Sequence, residues 1–143
     1  MTAPKRMALA FGCMLLAIAA FGTMDIVHIA IFYGPRHALP NLQMLPVYLL
    51  FAFPGWVLAL PFVLLFRDAD GWRAWTILAI GTAIGPAFLL TWSLLASGGR
   101  TTWRSDGMAV MMSLWIGFLT TVFYVALLRR FRNRSLAAPP STI

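Results

Sequence analysis

The sequence contains no glutamate, a single lysine (Lys5), a single cysteine (Cys13) and two histidines, His28 and His37. Its acids are aspartates at 25, 68, 70 and 106, and charged residues make up only 10% of the 143. A soluble domain carries about 25% charge, so the usual water-facing surface cannot be built from this chain. With one cysteine there is no intrachain disulfide, and Cys13 reads as a packing residue. Sparse acids and histidines also remove the paired carboxylates, nucleophile–base sets and His–Glu metal sites that intramembrane hydrolases need. The patterns G-x-S-x-G, H-E-x-x-H and the P-loop are missing as well. No enzymatic activity, cofactor or nucleic-acid partner is expected.

What the chain does have is apolar length, with 61% hydrophobic residues. Crossing a bilayer core about 30 Å thick takes roughly 20 such residues as helix. Four runs qualify: one within Met7–Tyr33, then Met44–Phe66, Ala74–Ala96 and Met108–Leu128. β-barrel alternation is absent, and lipid permits no third architecture. The connectors Gly34–Gln43, Arg67–Arg73 and Ser97–Gly107 are short, so successive helices should be antiparallel neighbours. The expectation is an all-α, four-transmembrane-helix antiparallel bundle. It forms one domain over residues 1–134, and 135–143, with Pro139-Pro140, make a disordered cytoplasmic tail.

Basic residues orient the spans. Lys5, Arg6, Arg67, Arg73, Arg129, Arg130, Arg132 and Arg134 fall on one side, against Arg36, Arg100 and Arg104 on the other. The positive-inside rule then places both termini in the cytoplasm, and the Arg-rich, Lys-poor composition suggests a bacterial inner membrane. Trp72, Trp75 and Trp103 stand at span ends, where indoles favour the headgroup layer, and Trp92 is about one turn further in. Lys5-Arg6, the run from Met7 and Ala17-Ile18-Ala19 resemble a secretory signal, but the apolar run continues past Ala19, so an uncleaved signal-anchor is expected. The cluster Arg129, Arg130, Arg132 and Arg134 suits anionic lipid, at about 1 kcal/mol per charge near the surface.

Within the spans, Asp25 is the most informative residue. An Asp at a helix centre costs about 2.5–3.5 kcal/mol on insertion scales, so it calls for a partner, water or a proton. His28, three residues on, shares its helical face and is the expected partner of an intramembrane pair. That pair either fixes helix register or serves a proton or cation site. A metal reading adds Met24, Met108 and Met112, since thioether and imidazole suit Cu(I), but no Met-x-x-Met series or Cys pair supports it.

Pro54 and Pro61 interrupt the second span and free the carbonyls of Leu50 and Val57. Hydroxyls of other spans (Thr82, Thr91, Ser93, Ser113, Thr120, Thr121) or water must answer them. The result is a static kink or a bent helix beside a wet cavity. Gly81 and Gly85 form a G-x-x-x-G ahead of Pro86, which should bend the third span, and Gly117 is the corresponding small residue of the fourth. Such faces let helices approach closely, within the bundle or against a partner.

The leading functional expectation is a non-enzymatic accessory, assembly or immunity-type protein. It would act through helix–helix association with another membrane protein or a second copy, Gly81, Gly85 and Gly117 supplying the contact. The alternative is a small proton- or cation-coupled transporter or channel using Asp25, with copper handling a distant third. Four short spans with an acid in the first resemble the layout of small multidrug exporters. The chain departs from them in carrying Asp for Glu, in its length and in its charge bias.

Overall fold

The structure, a computed structural model, describes residues 2–66, 71–96 and 103–137, with backbone alone at 39, 51, 103–106 and 134–137. Helix α1 spans Ala3–Tyr33, with a proline in its first turn where no N–H is needed. It stops at Gly34, whose φ of 92° lies in the left-handed region that glycine tolerates. A one-turn helix α2 (Pro35–Ala38) and a 3-10 segment (Leu39–Met44) lead into α3 (Leu45–Leu65). Helices α4 (Trp72–Ala96) and α5 (Trp103–Ala137) complete the chain. The fold is all-α, and four helices are long and apolar enough to cross a membrane.

The boundaries differ from expectation in two places. Residues 34–43, read as a loop, are mostly helical. Pro35 and Pro40 set φ near the helical value and start each short element there. Helix α5 runs on past Leu128 to Ala137, into the segment expected to be disordered. Arg, Leu and Ala are good helix formers, and basic side chains are favourable at a helix C-terminus. Residues 138–143, the rest of that tail, lie outside the described residues, as do most of the connectors expected at 67–73 and 97–107.

Contacts define a ring in which α1 adjoins α3 and α5, α4 adjoins α3 and α5, and α3 meets α5 more lightly. Each neighbouring pair with α1 is antiparallel. Arg6 near the start of α1 reaches the end of α3, while Asp25 near its end meets the start of α3. Ala10 and Cys13 pack with Tyr124 and Leu128, and Ile18 and Phe21 with Ile116. These two clusters are joined by Trp56, whose ring stands edge-on to Phe11 at 5.2 Å between centroids. Cys13 is buried there, as expected of a packing residue.

Helices α4 and α5 make the most extensive contact. Gly81 faces Thr121, Gly85 faces Ser113, and Gly117 faces Gly81 and Thr82. Gly55 of α3 meets Gly85 from the other side. A Cβ at Gly117 would lie 2.8 Å from the Gly81 carbonyl oxygen, so the two backbones touch. Lipid tails are as apolar as the side chains, and dispersion at such close approach is what holds the helices.

Gly117→Ala should therefore lower stability by about 1–3 kcal/mol, through overpacking against backbone that cannot yield. Gly12→Ala, where a Cβ meets nothing within 4 Å, should leave stability unchanged or raise it slightly. Thermal unfolding in detergent, followed by circular dichroism, compares the two; equal midpoints would refute the assigned contact.

Candidate functional site

Between the helices runs a cavity of about 430 Å³, walled by α1, α3, α4 and α5. It extends from Asp25, Asn41 and Met108 at one end to Val63, Phe66 and Tyr124 at the other. Its size falls in the range of small-molecule pockets, and its walls follow the usual recipe of apolar side chains with a few polar groups.

Asp25 sits eight residues before the end of α1, about 12 Å along the helix from that end. Its Oδ2 accepts hydrogen bonds from Tyr48 Oη (3.1 Å) and Asn41 Nδ2 (3.2 Å). Tyr48 is buried on the first turn of α3, held edge-on to Phe21. Asn41 comes from the 3-10 segment, so the connector supplies one of the two donors. Both donors are neutral. The expected Asp25–His28 pair is not formed. His28 is exposed, with its ring against Phe32 at 4.6 Å. Side chains three residues apart stand about 60° apart around a helix, and that offset leaves His28 turned outward while Asp25 faces α3.

The opposite end is organised by Arg6, only 5% exposed. Its Nη1 donates to the carbonyl oxygens of Val63 (3.1 Å) and Leu64 (3.2 Å). Those carbonyls belong to the last turn of α3, which has no intrahelical donors and carries the negative end of the helix dipole. The sequence reading counted Arg6 only as a topology charge. A signal was present, because a basic residue in the first turn of a helix opposes that helix's own dipole and gains from another helix's C-terminus. Asn41 and Tyr48 were also missed. Antiparallel helices bring the start of α3 beside the end of α1, so a polar residue there was the place to look.

The remaining sequence candidates are placed as follows. Gly81, Gly85 and Gly117 all pack within the bundle, so their small faces are already covered by this chain. Met24, His28 and Met108 are exposed; Met108 and Met112 line the cavity, and Met24 and His28 do not. Among the described residues no group of three His, Cys, Asp or Glu could hold a metal. Pro54, Pro61 and Pro86 lie inside continuous helices. Of the hydroxyls expected to answer the carbonyls freed by Pro54 and Pro61, Thr82 Oγ1 is buried without a partner and four bond elsewhere. Thr91, Ser113, Thr120 and Thr121 donate to carbonyls of their own helices, the short reach of a Ser or Thr favouring the preceding turn. Arg129, Arg130 and Arg132 are exposed on α5, and the Arg134 side chain lies outside the described residues. Trp72, Trp75 and Trp92 are exposed, while the Trp103 side chain is not described.

Comparison with protein-family models, with curated proteins and with solved structures finds no match.

Arg6→Met should cost about 1.5–3 kcal/mol, the range for a hydrogen bond to a charged group, and should free the last turn of α3. Amide hydrogen exchange reads the second effect. Faster exchange confined to the end of α3 is expected, and unaltered protection there would show that the guanidinium does not cap that helix.

Proposed function

We propose that this chain is a small non-enzymatic transporter of a bacterial inner membrane, with both termini cytoplasmic. In it, Asp25 couples proton or cation movement to a small amphipathic molecule held in the interhelical cavity. The observation that carries this reading is the Asp25 carboxyl group lining a cavity that extends to Tyr124. Neutral donors position it, which supports a coupling role for this carboxyl group. The cavity wall on one side is α3, whose prolines weaken its backbone ladder and suit a helix that bends between states. The basic-residue asymmetry supports the orientation. Association with another membrane protein has less behind it, because the glycine faces that suggested it are covered within the bundle.

Reconstitution into liposomes with an imposed pH gradient, read by a trapped pH dye, is the test. Wild-type protein should dissipate the gradient when an amphipathic cargo is present, and Asp25→Asn should fall to the level of empty liposomes. Unchanged flux in that variant sinks the transporter reading. A stoichiometric protein partner retained in mild detergent, with no flux, would make the chain an accessory subunit instead.

A further inference from the structure

The cavity's walls hold polar atoms without partners, and they share a character. Trp56 Nε1 and Tyr124 Oη are buried with no hydrogen-bond partner, and both residues line the cavity. Arg6 Nε is buried without an acceptor too, and Arg6 is bonded to Val63, itself a cavity residue. Val63, Trp56 and Tyr124 belong to one packed cluster, and Tyr124 lies within electrostatic reach of Arg6. Each of the three is a donor, and two of them, indole and guanidinium, can only donate. Buried donors are rarely left without acceptors.

Charge points the same way. Arg6 carries a buried positive charge, and buried charges are normally paired. Asp25 has the one carboxyl side chain described, and it stands nineteen residues, roughly 28 Å, further along the same helix. The carbonyls of Val63 and Leu64 solvate the guanidinium without neutralising it. An acceptor with negative charge fits this end of the cavity, and the rest of the lining is apolar.

We infer that the cavity takes an amphiphile with an acidic headgroup, a long-chain carboxylate or an anionic phospholipid. Its charged oxygens meet Tyr124, Trp56 and the field of Arg6, and its alkyl chain lies along α3 and α5. This names the cargo class of the proposed transporter and rests on that reading only for the word transport. Occupancy itself is independent of flux.

The binding test uses full-length protein in nanodiscs of zwitterionic phosphatidylcholine. The probes are 12-bromododecanoate and 12-bromododecanol, equal in length, and tryptophan quenching is the readout. The carboxylate should quench at about tenfold lower concentration than the alcohol, the difference expected for a charge-assisted hydrogen bond. Trp56→Phe should remove the component quenched at low concentration. Arg6→Gln should abolish the preference, and Tyr124→Phe, which removes only a hydroxyl and leaves the α3 cap intact, should weaken it. Equal quenching by the two probes, or a preference that survives both variants, overturns the inference even if Asp25-dependent flux is real. Adding phosphatidylglycerol separates the sources: competition with the carboxylate probe assigns the site to a bilayer lipid, and its absence to a free fatty acid.

Discussion

Inside a membrane the hydrophobic effect gives helices no reason to associate, so their contacts must come from close packing of matched surfaces. The approach of α4 to α5 through Gly81, Gly85 and Gly117 is where this chain meets that constraint most fully. Much else follows from it. With α4 and α5 locked together and α1 packed along α5, α3 meets α5 most lightly, and the cavity lies among the four helices. A bundle of uniformly large side chains would have spread its voids among all the interfaces. Here small residues bring α4 and α5 together, and Gly81, Gly85 and Gly117 also line the cavity.

The two polar residues of α1 obey one rule at opposite ends. Asp25 is answered by Tyr48 at the start of α3, and Arg6 by the terminal carbonyls of the same helix. Each contact needs antiparallel neighbours in a fixed register, and together they pin α3 at both ends. Between those ends α3 contains Pro54 and Pro61, where its own ladder is interrupted. A helix clamped at its termini and weakened in its middle deforms by bowing rather than by sliding.

The number of spans, their approximate limits and their alternation were legible in the sequence because hydrophobic length is a property of single segments. The packing glycines were legible as well, since a small-residue spacing marks a close approach whatever lies opposite. What lay opposite was not. Spacing on one helix points Asp25 to His28, whereas its donors, Asn41 and Tyr48, come from another part of the chain. Arg6 reads from sequence as a topology charge because its role depends on where α3 ends. The connector reads as a loop because its prolines and polar residues suit a loop equally well. In each case local pattern was visible, and partnership across helices was not.

The segment from Gly34 to Met44 has a further consequence. It turns on a glycine at φ 92°, winds through two short helical elements and delivers Asn41 onto the Asp25 carboxylate. Such a connector is a strut, and its length is part of the site. An epitope or fluorescent tag inserted there to map topology would unlatch Asn41 and alter the group under study. Reporters belong on the α5 tail, where Arg129, Arg130 and Arg132 are exposed and are not among the cavity-lining residues.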